Sequence, residues 1–267
     1  MSASPPRSLP SPRRSHSSRS QACSCRAKMP LVRVAVVGNL SLDLVDGAPP
    51  RVGGPPYYAA RALAALGAPA LVRAKSAEAD RPRVLRPLEA LGLRVEWRLG
   101  ETTATYAFSY DDDQRAMEVR GEFPAQTLAA LAEAGTRLSF DGQGLVRPAR
   151  LGPLVLEPEP ELSLLRHLSV LKLSEEEAVA LVGDLDERSL SGLGVPEVVV
   201  TLGSRGCLLV TEHRLVEVPA DPLEVDPTGA GDAFAAAYLE ERSRGVEPRR
   251  AAERATQLVH DLLARSR

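Results

Sequence analysis

Apolar positions along this chain fall into short continuous runs, and between the runs lie stretches of helical period. The first run, Arg33 to Gly38, is β-branched and closed by glycine, which predicts a parallel strand buried on both faces. A helix is expected from Ala59 to Leu66, stopped by Gly67, then a strand from Ala70 to Lys75. Pro82 to Leu91 reads as a helix ended by Gly92, and Arg94 to Trp97 as a short strand. From Thr102 to Tyr110 the period changes to two, breaks at Asp111-Asp112-Asp113 and resumes from Arg115 to Val119, which predicts a hairpin.

The second half repeats the alternation. A helix from Pro124 to Ala134 precedes strands at Arg137 to Asp141 and Leu168 to Leu173, the first followed by a polar loop from Asp141 to Arg147. Ser174-Glu175-Glu176-Glu177 opens the next helix with capping-box spacing. Glu197 to Val210 gives two strands about Gly203-Ser204-Arg205-Gly206, Val216 to Val225 leads into a glycine turn, and Pro248 to Leu263 is a closing helix. Strands alternating with helices in this way predict one α/β domain with a mainly parallel sheet.

Composition adds boundaries. With 267 residues, 44% of them hydrophobic, the chain can bury one substantial core, and a net charge of -2 gives no reason to expect nucleic acid or a membrane surface as partner. Met1 to Lys28 differs from the rest: it is rich in Ser, Pro and Arg, has no acidic residue and shows no apolar period. A solvated, disordered tail is expected there; Pro5, Pro6, Pro10 and Pro12 count against the amphipathic helix of a transit peptide, and a start at Met29 is the third reading. The three cysteines and four histidines have neither disulfide nor metal-ligand spacing.

The candidate chemistry lies at Asp226-Pro227-Thr228-Gly229-Ala230-Gly231-Asp232-Ala233-Phe234. Proline and glycines end any preceding element, and the alanine-rich stretch that follows starts a helix. Its orphan N–H groups and dipole favour an anion, and the near absence of side chains lets one approach. Asp232 on the first turn reads either as a capping carboxylate or as a general base beside that anion.

This nonapeptide closely resembles the C-terminal signature of the ribokinase (PfkB) family of carbohydrate kinases. The resemblance implies a ribokinase-like three-layer α/β/α fold over residues 29–267 with a small β lid at about 99–119. It also implies ATP-dependent phosphorylation of a sugar, polyol or cyclitol hydroxyl in the cytoplasm. Carried over by position, it puts Gly229, Ala230 and Gly231 at an anion hole and makes Asp232 the base. Asp226, Thr228 and the Thr201, Gly203, Ser204, Gly206 loop fall on ATP. Asp43, Gly53, Gly54 and Tyr58 fall on the acceptor, as does Asp141 in the loop after its strand; of the lid aromatics, Tyr106, Phe108 or Tyr110 faces it, the alternative for each being to pack the hairpin onto the domain. Glu177 matches the family's magnesium-positioning glutamate, acting on Mg²⁺ indirectly through water; the capping box explains the same residue without a metal.

Four departures qualify the expectation. Tyr58 stands where the family has an acceptor-binding Asn, which exchanges amide hydrogen bonds for a stacking face and one hydroxyl, and Ser174 stands where it has another Asn. Only Arg120 to Phe123 separates the lid from the next helix, too few for a parallel crossover of about a dozen residues, so the expectation is open between a full sheet and one lacking a core strand. Few residues follow Leu263, so a later segment touching adenine is not expected. These departures leave a second reading, a non-catalytic kinase-fold protein that binds nucleotide or sugar. Lid edges in the family often pair between subunits, so monomer and homodimer both stay open.

Overall fold

The computed structural model describes residues 32–45, 49–108, 125–147, 156–157 and 162–265. The N-terminal tail, the second strand of the predicted lid hairpin with Tyr110, and the short segment after Val119 lie outside them, and of Tyr106 and Phe108 the backbone alone is described.

Two sheets and a lid carry the chain. β1 (Val34–Asn39), β4 (Ala70–Ser76) and β5 (Arg94–Leu99) run parallel in the order β1-β4-β5, with Val36 opposite Val72 and Val72 opposite Val95. The second sheet has the order β11-β10-β9-β8-β7. Within it β7 (Ser139–Asp141), β8 (Val170–Ser174) and β9 (Glu197–Thr201) are parallel, and β10 (Gly206–Thr211) and β11 (Arg214–Pro219) are antiparallel additions. The lid sheet is β3-β2-β6, built from β2 (Ser41–Val45), β3 (Arg51–Gly53) and β6 (Ala104–Phe108). The period-two run from Thr102 predicts β6, whereas β2 has no counterpart among the predicted strands. Ser41 to Val45 alternates polar and apolar residues, and that period places it in the lid, paired parallel to β6 and antiparallel to β3.

Helix α7 (Ala230–Ser243) holds the two larger sheets together. Its Ala233 and Ala236 pack with Val34, Ala59 and Leu63 on one side, the last two from α1 (Pro55–Ala65). Its Phe234, Ala237 and Tyr238 pack with Val170, Val199 and Leu209 on the other, backed by α8 (Pro248–Ala264). Alanines along both α1 and α7 allow their backbones to approach closely, so a small-residue surface is buried between them.

The strand β1 is not buried on both faces as its apolar run predicts. Val34 and Val36 meet α1, while Val37 on the opposite face is 49% exposed. The same face of β4 and β5 carries Arg73 paired with Glu96 at 3.3 Å. Among the described residues no strand joins β1 to β7. A continuous apolar run therefore signals a parallel strand here without guaranteeing two covering layers. No helix among the described residues is long and apolar enough to cross a membrane.

At the far end of α7 a buried charge network ties helix to sheet. Glu197 on β9 accepts from Tyr238 Oη at 2.6 Å, from Arg242 Nη2 at 2.5 Å and from Arg137 Nη2 at 3.2 Å. Burial alone would raise the Glu197 carboxyl, but the Arg242 and Tyr238 hydrogen bonds and the Arg242 and Arg137 charges outweigh it and hold it low. Removing the Glu197 charge leaves the Arg242 guanidinium and the Tyr238 hydroxyl poorly matched where little water reaches them. Glu197→Gln is expected to cost about 1–3 kcal/mol in a urea melt, an effect that fades as pH falls through the lowered Glu197 pKa and the wild-type carboxylate itself protonates.

Candidate active site

A cavity of about 690 Å³ opens at the N-terminus of α7, between the lid and the C-terminal ends of β8 and β9. Its floor is the glycine turn. Gly229 caps the helix with φ +80, a conformation that glycine adopts without strain. A side chain there would also strike the Tyr58 ring, whose Cγ lies 2.1 Å from an ideal Cβ. The Ala230 N–H is bonded to the Pro227 carbonyl at 2.9 Å, and the N–H groups of Gly231 and Asp232 have no partner among the described residues. Of the three N–H groups expected at the anion hole, those of Gly229 and Gly231 have no partner among the described residues, while that of Ala230 is turned to Pro227 and the Asp232 N–H adds a further unpaired donor.

The loop that enters the turn is held by Asp226. Its carboxylate accepts from the Thr228 N–H at 2.9 Å and the Thr228 hydroxyl at 2.5 Å, and pairs with Arg51 of β3 at 2.7 Å. Expected on ATP, Asp226 does not line the cavity; it shapes the turn and ties it to the lid sheet, whereas Thr228 does line it.

Three carboxylates that line the cavity differ in what holds them. Asp43 is buried, with Oδ1 accepting from Ser41 Oγ at 2.7 Å and Oδ2 from Tyr58 Oη at 2.7 Å. Glu177 is buried as well; Oε1 accepts from Arg147 Nη2 at 2.8 Å, and Oε2 closes the capping box on the Ser174 N–H at 2.9 Å. Asp232 makes no hydrogen bond among the described residues. It is half-buried at the cavity wall, and the loss of hydration there, with the nearby Asp141 charge, pushes the carboxyl up to about 7, with the Lys172 and Arg147 cations pulling the other way.

Tyr58 is therefore not the open stacking face expected of it. The ring is buried against the Gly229 turn, and burial together with the Asp43 hydrogen bond raises its phenol. The paired glycines serve the same packing: a Cβ on Gly53 would fall 2.0 Å from Asp43 Oδ2, and one on Gly54 (φ +88) would fall 2.5 Å from the Asn39 carbonyl. Gly54 lines the cavity and Gly53 stands behind Asp43.

Asp141, expected on the acceptor, lies behind the cavity wall. Its Oδ1 accepts from the Gln143 N–H at 3.2 Å and its Oδ2 from Lys172 Nζ at 2.9 Å. The polar loop expected after it is a helical turn, α4 (Gln143–Val146), because Leu145 and Val146 bury into the core under it. At the other end of the cavity lie Thr201, Gly203, Ser204 and Gly206, the loop that the resemblance assigns to the nucleotide. The Thr201 hydroxyl donates to the Leu173 carbonyl at 3.2 Å, joining β9 to β8. Gly206 (φ +103) admits no side chain, since a Cβ would sit 2.0 Å from the Val218 carbonyl. Leu202, Ala220, Leu223, Val225, Val259 and Leu263 give this end an apolar lining.

Sequence reasoning missed Lys172 and Arg147, which also line the cavity. Lys172 left a signal, a lone cation inside the apolar run Val170-Leu171-Lys172-Leu173; Arg147 left none. The donor set does not make a protein-held metal site. Among the described residues no group of three His, Cys, Asp or Glu side chains converges, and Glu177 has both oxygens engaged. A magnesium ion here would be held by phosphate and water oxygens, with Glu177 at one remove.

A sequence profile for pfkB family carbohydrate kinases matches residues 122–258, more than half of the chain and the whole of the anion turn. The chain belongs to this family. Among its relatives, an inositol 3-kinase of Zea mays is 31% identical over 128 residues, 46% of this chain and 32% of the maize protein. The match thus spans about a third of that curated relative's length. Solved pfkB-type folds agree over much more of the chain. A pyrophosphate-dependent kinase in the ribokinase family, complexed with a pyrophosphate analog and myo-inositol, superposes with a TM-score of 0.75 at 22% identity, over 86% of this chain and 95% of the other. Arabidopsis thaliana ribokinase complexed with ribose and ATP gives 0.66 at 20% identity over 86% and 98%. The ribokinase-like fold expected from the sequence is the fold of this chain.

Proposed function

We propose that this protein transfers the terminal phosphoryl group of ATP to a hydroxyl of a small neutral sugar, polyol or cyclitol in the cytoplasm. The observation that carries the reading is Asp232: a half-buried carboxylate lining the cavity which, like the helix N–H donors beside it, is uncommitted among the described residues. An acceptor hydroxyl placed against Asp232 gives up its proton as its oxygen bonds to the phosphorus. The bridging P–O bond breaks, and ADP leaves with the electron pair. The Gly231 and Asp232 N–H groups receive the charge on the transferring group.

The apolar end of the cavity, from Leu202 to Leu263, supports a nucleobase-bearing donor over bare pyrophosphate. A neutral acceptor follows from charge: Arg147 is already matched by Glu177, and Lys172 lies against the helix entry where the phosphoryl group is received, so a sugar acid finds no spare cation on the acceptor side. Mg²⁺ is assigned to the donor phosphates. The test is ADP release from ATP and Mg²⁺ across a panel of sugars, cyclitols and nucleosides, with pyrophosphate as the competing donor. Turnover with one acceptor, absent in Asp232→Asn, supports the reading; nucleotide binding without turnover overturns it.

Tyr58 favours the second reading, a kinase-fold binding protein, because its hydroxyl already occupies Asp43 Oδ2. Tyr58→Phe is expected to cost about 1–3 kcal/mol by leaving that oxygen unpaired. In the kinase reading an acceptor hydroxyl takes the vacated place, so the correct acceptor raises the melting temperature of the variant more than that of the wild type. An equal rise in both would support the second reading.

A further inference from the structure

Lys172 sits where an ammonium is costly. It lies on the inner strand β8, buried, and its Nζ would be 2.8 Å from a Cβ on Gly231. That position faces the positive end of the α7 dipole, which repels a cation. One of its three protons goes to Asp141 Oδ2 at 2.9 Å, and the ammonium has no other hydrogen-bond partner among the described residues. Next to it are the N–H groups of Gly231 and Asp232, unpaired among the described residues. A buried cation with spare donors beside unpaired helix N–H groups is a site in want of an anion.

We propose that Lys172 is a further catalytic residue, whose ammonium completes the anion site at the head of α7 and holds the phosphoryl group during transfer. The assignment rests on the phosphotransfer reading above. It explains why position 231 has no side chain: any Cβ would push the ammonium off the turn. It also gives Asp141 a role, as the positioning residue that fixes Lys172 from behind through its own bond to the Gln143 N–H. Lys172 remains protonated throughout. Burial would lower its pKa, but the Asp141, Glu177 and Asp232 carboxylates outweigh this and the net shift is upward. The same charge lowers Asp232, so losing it moves the acid limb of kcat/KM to higher pH.

The experiment compares the wild type with Lys172→Met and with the double variant Lys172→Met/Asp141→Asn, which removes both charges together and keeps the fold testable. Affinities for ADP, ATP and pyrophosphate are measured by calorimetry alongside turnover. ATP affinity reduced at least tenfold in the double variant, ADP affinity within threefold, and turnover down at least 100-fold are the expected results. An unchanged ratio of ATP to ADP affinity, with the wild type turning over, overturns the role of Lys172 and leaves the phosphotransfer reading standing. If the wild type binds pyrophosphate and not ATP, the ATP reading fails. A tenfold loss of pyrophosphate affinity in the double variant then supports Lys172, and an unchanged affinity overturns it. A wild type that binds neither donor overturns both proposals.

Discussion

Asp232→Asn is expected to lower kcat by roughly 10²–10⁴-fold while ATP affinity stays within about threefold, and to make the protein more stable at pH 8. Both effects have one origin. The Asp232 carboxyl is pushed up to about 7 by burial first and by the Asp141 charge second, so the folded chain holds its proton where the unfolded chain has lost it. Between the ordinary carboxylate range and about pH 7 the folded state therefore binds more protons, and stability falls as pH rises through that window. Above it the full penalty remains. Asparagine removes the penalty, and the gain at pH 8 is roughly 1–2 kcal/mol, or about 2–8 °C in melting temperature, once relaxation of Asp141 and Lys172 is allowed for. The gain shrinks as pH falls toward the ordinary carboxylate range. In the wild type, kcat/KM rises with pH through about 7 as the base is freed. A variant that is inactive but no more stable at pH 8 would show that Asp232 carries no buried charge; one active within tenfold of wild type would show that it is not the base.

Gly229→Val is expected to remove more than about 3 kcal/mol of stability and to lower turnover at least 100-fold, because two costs coincide at one position. The backbone is left-handed at φ +80, and the new side chain meets the Tyr58 ring at 2.1 Å. Relief requires Tyr58 to move, which breaks its bond to Asp43 and opens the floor of the cavity. Gly203→Ala is the control. Gly203 is also left-handed, at φ +60, but a Cβ there meets nothing within 4 Å, so it bears backbone strain alone, about 1–2 kcal/mol. Urea melts of both variants, with turnover, separate strain from collision. Equal losses in the two would show that Tyr58 does not brace the turn.

Much of this arrangement is legible one residue at a time. The apolar runs placed β1, β4, β8 and β9 to within a few residues, because a parallel strand shielded from water on even one face selects β-branched side chains. The turn from Asp226 to Phe234 was legible because its chemistry is local: glycines, a proline and an acid within one helix entry. The capping box at Ser174 and Glu177 was legible for the same reason. Partners distant in sequence left no such mark. The Arg51–Asp226 pair spans 175 positions, and neither residue alone announces the other.

The sequence by itself determined an α/β fold, its family signature, and the helix entry that carries Asp232, since each depends on periodicity and on backbone freedom within a few neighbouring residues. Only the tertiary structure decided what each charged group does there. It turned Tyr58 inward onto Asp43, set Asp141 behind Lys172, engaged Glu177 with Arg147, and left Asp232 uncommitted among the described residues. Those outcomes depend on which side chains meet in a space closed to water, where the strength of every charge and hydrogen bond is set by neighbours that the chain brings from far away.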